Sequence, residues 1–235
     1  ITNLFDVREV AIDNLAAAGI RITPVVTVIN GVNNHQVGPI FDFCLAHHDK
    51  MGGPAFQPVS FTGRDEEVTP ERRAAQRYTL AHLAHDIKRQ TGIGEPLRDW
   101  FPISMMTTFA DSADLLHGPT YEWGQLNCGC HPDCGAGMAV MIDKETKERA
   151  AVSSFLDGWQ LAKDLTIIND ASRGKRLSQF AMAVSLMRNY NSFNTPTRFR
   201  LTDLLKKFDK AFGATGRNYG HVGKGRTLSD VEKRR

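Results

Sequence analysis

The stretch IRITPVVTVINGVNN, residues 20–34, decides the fold. Its first ten residues form a β-branched run of strand length. Such a continuous run predicts a strand buried on both faces, as in a parallel sheet. Pro24 lacks an N–H and counts against a fully paired central position. An Asn-Gly turn follows, and then a predicted helix with Val37, Ile40, Phe41, Cys44, Leu45 and His48 on one face. Gly52, Gly53 and Pro54 end that helix. Residues 55–62, AFQPVSFT, predict a second strand. Before the first strand, Val7, Val10, Ala11, Leu15 and Ala18 follow helical spacing. Asp6 and Glu9 resemble a capping box there, and Gly19 sits at a left-handed C-terminal position. After the second strand, Thr69 and Pro70 start a long helix with Leu80, Leu83, Ala84 and Ile87 on one face, stopped by Thr91 and Gly92. Helix, strand, helix, strand with short connections predicts an α/β sheet or barrel.

Residues 93–150 read as irregular and rich in Gly and Pro. Three further helices are expected, at about 154–166, 176–189 and 202–212. The chain thus divides into residues 1–92, 93–150 and 151–235. With 235 residues, 41% hydrophobic and 23% charged, it can bury a core. No apolar run is long enough to span a bilayer. No P-loop, Ser-His-Asp motif or full dinucleotide fingerprint occurs. The start at Ile1, without Met, reads as part of something longer. Residues 206–235 carry nine basic and three acidic side chains. No stacking pattern accompanies them, so a soluble terminus is expected rather than a nucleic-acid arm.

The four cysteines, Cys44, Cys128, Cys130 and Cys134, are too few for a disulfide scaffold and point to a reducing cytoplasm. Three of them form a C-x-C-x3-C group in NCGCHPDCG, residues 127–135. Thiolates favour zinc, copper(I) or iron–sulfur centres. Gly129 and Gly135 let the backbone wrap a bulky inorganic group. Structural zinc ordinarily uses two paired knuckles, so a cluster with its last ligand elsewhere fits better. Cys44 reads as a small core residue, His131 as a weak fourth-ligand candidate, and His82 and His85 as a solvated helix face. Arg64 is a carboxylate or phosphate ligand, or an ion-pair partner of the acids after it. The Met-containing segment FPISMMTTF, residues 101–109, lines a channel for a lipid-like substrate or forms core.

Taken together, ITPVVTVINGVNNHQVGPIFDF, FQPVSFTGR and CGCHPDCGAG resemble the radical S-adenosylmethionine superfamily. The likeness is to the branch of tetraether lipid synthase and dihydro-hydroxymethylpterin dimethyltransferases. The resemblance implies an α/β fold: the C-terminal half of a partial (β/α) barrel, then a mainly helical, cysteine-bearing region. It implies S-adenosylmethionine against Thr27, Ile29, Gly31, Asn33, Gln57, Pro58 and Val59. Core packing and a tight turn are the competing roles for Ile29, Val59, Gly31 and Asn33. The family's C-x3-C-x2-C triplet, which binds the [4Fe-4S] cluster that cleaves S-adenosylmethionine, is absent from the chain. The expectation is that it lies before Ile1 and that Cys128, Cys130 and Cys134 hold an auxiliary [4Fe-4S] cluster. The implied reaction functionalises an unactivated carbon, by carbon–carbon bond formation or methyl transfer on a lipid-like or pterin-like substrate. The implied partners are that substrate, an electron donor such as ferredoxin or flavodoxin, and a membrane surface, with no nucleic acid. The rival reading is a non-catalytic, zinc-stabilised binding module.

Overall fold

Two parallel strands, β1 (Val25–Val28) and β2 (Ala55–Pro58), pair in the register Val25↔Ala55 through Val28↔Pro58. The computed structural model describes residues 3–61, 68–117, 135–143, 145–171 and 175–196. Both strands are shorter than the sequence predicts. Ile22 joins Met51 through a single bridge, and the chain at Pro24 uses only its carbonyl, which accepts from the Ala55 N–H at 2.8 Å. Proline is tolerated there because no donor is required of it.

The expectation of a strand buried on both faces is not met. Val28 is 1% exposed but Val25 is 62% exposed. Val26, Val28 and Phe56 pack against Val37, Phe41, Leu83 and Ile87 on one side. No described residue seals the opposite face around Val25 in the same way. A β-branched run marks a strand, but how many faces are covered depends on neighbours that the run does not encode.

The connecting helix α2 (Val37–Ala46) buries Val37, Gly38, Phe41 and Cys44. It ends before Gly52, because residues 47–51 turn back on the His47 carbonyl. Helix α1 (Phe5–Ala17) precedes β1. Its expected capping box does not form: the helix begins before Asp6, at a Leu4 cap without a side-chain bond. Asn3 Oδ1 instead accepts the Phe5 N–H. Gly19 takes its left-handed conformation, φ +74°. Val7 and Val10 stay exposed, and α1 rests on the sheet unit through the Phe5–Phe43 ring contact and the Lys50–Asp13 ion pair.

The single long helix predicted after Thr69 is two helices, α3 (Pro70–Gln76) and α4 (Leu80–Thr91). Thr69 caps the first through the Arg72 N–H, with Pro70 following it as expected. Arg77 and Thr79 are extended, and Thr79 caps α4 through the His82 N–H. The break turns Tyr78 into the core, 3% exposed, where its hydroxyl donates to Asp86 at 2.9 Å. Burial of the ring, a hydrogen bond and a new cap offset the lost helical bonds. Gly92 closes α4 at φ +75°.

Residues 93–150 are less irregular than the sequence suggests. They contain β3 (Phe101–Pro102), α5 (Met106–His117), β4 (Ala136–Gly137), β5 (Val140–Ile142) and β6 (Arg149–Ala151). β3 pairs antiparallel with β4, and β5 with β6. Two helices follow, α6 (Gly158–Ala171) and α7 (Lys175–Arg188). α6 starts later than predicted because Val152–Ser154 form a 3-10 turn and Asp157 Oδ1 accepts the Gln160 N–H. In segment 101–109, Phe101 sits tilted against Trp159 and Phe109 packs against the helical core, so both rings serve packing. The expected helix at 202–212 and the basic end lie outside the described residues.

Two cores result. The first joins Val28, Val37, Phe41, Tyr78, Leu83 and Ile87; the second joins Phe155, Leu156, Leu161, Leu165, Met182 and Leu186. Strand β5 touches both, since Val140 packs on the first and Met141 on the second. Asp99, fully buried, ties the regions further. It accepts from Arg98 at 2.7 and 2.9 Å, from the Glu95 N–H at 2.6 Å and from Ser153 at 2.7 Å. Asp42 and Arg149 form a second link.

Candidate functional site

The sequence-derived residues converge at the C-terminal ends of β1 and β2. Parallel pairing sets Thr27 beside Gln57 and Val28 beside Pro58. The Val59 N–H extends the ladder to the Val28 carbonyl at 3.0 Å. Alternation along each strand places Thr27, Ile29, Gln57 and Val59 on the face turned away from α2 and α4. Val28 faces the helices and is core. Thr27 and Gln57 are exposed, and their side chains have no hydrogen-bond partner among the described residues. Ile29, Pro58 and Val59 are partly buried.

The turn after β1 is held by side-chain amides. Asn33 Oδ1 accepts the Ile29 N–H at 2.8 Å, and Asn33 Nδ2 donates to the Thr27 carbonyl at 2.9 Å. The Pro24 and Val28 carbonyls serve β2, so Thr27 and Ile29 direct their peptide groups to the other edge. Asn33 therefore occupies that edge as a neighbouring strand's peptide would. Asn34 Oδ1 accepts the Gly31 N–H at 2.9 Å, which supports Gly31 at φ +74°, a conformation that glycine adopts without strain. Among the described residues, no atom lies within 4 Å of where a Gly31 Cβ would stand. Its requirement is one of backbone conformation, not space. Asn30 fastens the turn to the end of α3 through the Gln76 and Ala75 carbonyls.

Helix α4 supplies the remaining supports. Gln90 Oε1 accepts the Gly38 N–H at 2.7 Å, and Gln90 Nε2 donates to the Asn34 carbonyl at 2.9 Å. Asp86 receives Tyr78, Arg89 and, at 3.5 Å, Asn34 Nδ2. Burial by itself would raise the Asp86 pKa. The bonds from Arg89, Tyr78 and Asn34 outweigh it and hold the carboxyl below its ordinary range. Burial and the Asp86 carboxylate push the Tyr78 hydroxyl well up, so it stays a donor. The arrangement is a rigid strand-end platform with two unpaired polar side chains flanked by apolar ones. It can receive a flat, partly polar ligand.

The chain is similar in sequence to a known dimethyltransferase. The 7,8-dihydro-6-hydroxymethylpterin dimethyltransferase of Methanocaldococcus jannaschii is 26% identical over 156 residues. The match covers 66% of this chain but 29% of that protein, so the chain spans less than a third of the relative. No protein-family model matches the chain.

The other site residues are placed differently. Cys128, Cys130, Cys134, His131 and Arg64 lie outside the described residues. Cys44 is buried at 2% exposure, and burial pushes its thiol up to about 11, as for a small core residue. His82 and His85 are exposed on α4. Among the described residues, no three His, Cys, Asp or Glu side chains gather to hold a metal, and no helix is long and apolar enough to cross a membrane. Sequence reasoning missed Asn30, Asn34, Asp86 and Gln90. A signal existed for two of them: Asp86 and Gln90 sit at i−1 and i+3 of Ile87, beside an otherwise apolar stripe.

Proposed function

We propose that this chain supplies part of the S-adenosylmethionine site of a radical methyl-transfer enzyme acting on a pterin-like substrate. The observation that carries the reading is the strand-end face, exposed at Thr27 and Gln57. It brings Thr27, Ile29, Gln57 and Val59 together beside a turn braced by Asn33 and Asn34. These residues fit the group. Thr27 and Gln57 offer unpaired donors and acceptors to a purine or ribose, and Ile29 and Val59 offer apolar surface to its faces. The Thr27 carbonyl and the Ile29 N–H are already bound by Asn33, so the side chains and the ring faces do most of the recognising. S-adenosylmethionine supplies the methyl and radical chemistry when bound. The chain's own role is to orient the nucleoside and to shield one side of it from water.

The likeness to a dihydro-hydroxymethylpterin dimethyltransferase favours a pterin over a lipid. The C-x-C-x3-C group suits an auxiliary iron–sulfur cluster by its donor chemistry alone. A ferredoxin- or flavodoxin-type electron donor, a cytoplasmic setting and a partial barrel that includes β1 and β2 belong to the same reading. Calorimetric titration of the anaerobically purified chain with S-adenosylhomocysteine tests it. Binding is expected in the wild type and weakened in Gln57→Ala. Iron and sulfide are expected in stoichiometric amounts. A colourless, zinc-loaded protein that ignores the nucleoside would return the zinc-stabilised binding module to first place.

A further inference from the structure

We propose that Gln90 is a positioning residue for the nucleoside-binding turn, a role that rests on the reading just given. Gln90 lies on α4, on the helix-covered side of the sheet, away from Thr27 and Gln57. It acts through Asn34. Its carboxamide accepts from the Gly38 N–H at 2.7 Å and donates to the Asn34 carbonyl at 2.9 Å. One planar group thus joins the start of α2 to the end of the turn. The Gly38 N–H is one of the first amides of α2 and has no partner within that helix, so the bond also closes the helix start.

The contact is close. A Cβ at Gly38 would stand 2.5 Å from the Gln90 Cβ. Backbone and side chain are packed without slack here, so any displacement of Gln90 moves α2 and the turn together. Asn34 then transmits the constraint, because its Oδ1 holds the Gly31 N–H at 2.9 Å. Asp86, one turn earlier on α4, reaches the same asparagine at 3.5 Å and keeps its amide facing inward. Both grips from α4 converge on Asn34, the residue that bonds the left-handed Gly31.

The substitution logic follows from donor and acceptor count. Gln90→Met keeps the length and removes both bonds. Gln90→Glu keeps an acceptor for Gly38 and sets an oxygen against the Asn34 carbonyl. Calorimetric titration of the full chain with S-adenosylhomocysteine, well below the melting temperature, reads the consequence. Loss of two ordinary hydrogen bonds predicts about tenfold weaker binding in Gln90→Met, with Gln90→Glu in between. Amide exchange at Ile29 and Gly31 should quicken in Gln90→Met while that of Leu83 and Ile87 holds. A glutamine that only stabilises the fold would lower the melting temperature and leave affinity and exchange in the turn alone. Wild-type binding with equal affinity in both variants overturns the role of Gln90. A wild type that binds no S-adenosylhomocysteine overturns the nucleoside reading itself, and the role with it.

Discussion

Around the first core, Asn33, Asn34, Asp86 and Gln90 converge on a single turn, whereas around the second core the polar contacts run from helix to helix. Asp164 on α6 accepts from Gln160, from Ser185 at 2.8 Å and from Asn189 at 2.9 Å. Asn169 on α6 accepts from Ser112 at 3.1 Å and donates to the Thr108 carbonyl at 3.0 Å, which fixes α5. Those bonds lock three helices side by side and are spent within the helical bundle. In the first region the bonds brace main-chain atoms at a strand end and leave Thr27 and Gln57 free. Polar groups that tie elements together stabilise a fold. Polar groups that brace a turn while freeing its neighbours prepare a surface for binding.

The largest test of that contrast truncates one residue of each core. Ile87→Ala and Leu161→Ala, both at fully buried positions, should each lower stability by about 2–5 kcal/mol in urea unfolding. Only Ile87→Ala should also weaken S-adenosylhomocysteine binding, since it loosens the helix that braces the turn. Equal losses of affinity would erase the distinction.

Next is Asp99→Asn, expected to lose about 2–3 kcal/mol at neutral pH because a fully buried charged acceptor is removed. Burial would raise the Asp99 pKa, but Arg98, Ser153 and the Glu95 N–H outweigh it and hold the carboxyl below its ordinary range. The folded state therefore releases this proton more readily than the unfolded state. The resulting stability is complete above about pH 5 and is lost as pH falls through the folded-state pKa. Denaturation profiles from neutral pH downward should be flatter for the variant. A parallel profile would assign acid sensitivity to Asp86 and Asp164, whose pKa values are lowered as well.

Gly92→Ala should cost about 1 kcal/mol, measured by melting, because its cost is the left-handed backbone alone; no described residue lies within 4 Å of the added carbon. The smallest effect has the opposite sign. Ser178 on α7 is buried with an unpartnered hydroxyl, so Ser178→Ala should be neutral or stabilising by up to about 1 kcal/mol. A clear loss of stability would show that the second core uses this hydroxyl after all.

Much of the first region was legible because its signals are local. Gly19 and Gly92 mark left-handed positions, Thr69-Pro70 marks a helix start, and a β-branched run marks the first strand. The gathering of Thr27, Asn33 and Gln57 came from a resemblance and is consistent with parallel pairing. What escaped was set by tertiary contacts. ERRAAQ and LAHLAHDIK both favour helix, so nothing local announces the break at Arg77–Thr79; it exists because Tyr78 finds a core and Asp86. Strands of two or three residues carry too few positions for a period to be read. The Thr pair and the Gly-Pro flank of α5 masked a helix that packing against α6 stabilises. The capping box failed because the helix began two residues too early for Asp6 to cap it.

The position of β5 carries a thermodynamic consequence. A three-residue strand with Val140 in one core and Met141 in the other cannot be exposed on one side alone without tearing its pairing to β6. The two hydrophobic clusters are thereby one cooperative unit. Scanning calorimetry of the chain should show a single endotherm whose van't Hoff and calorimetric enthalpies agree. A substitution deep among α6 and α7 should then shift the melting of the distant strand-end turn by the same number of degrees as its own surroundings.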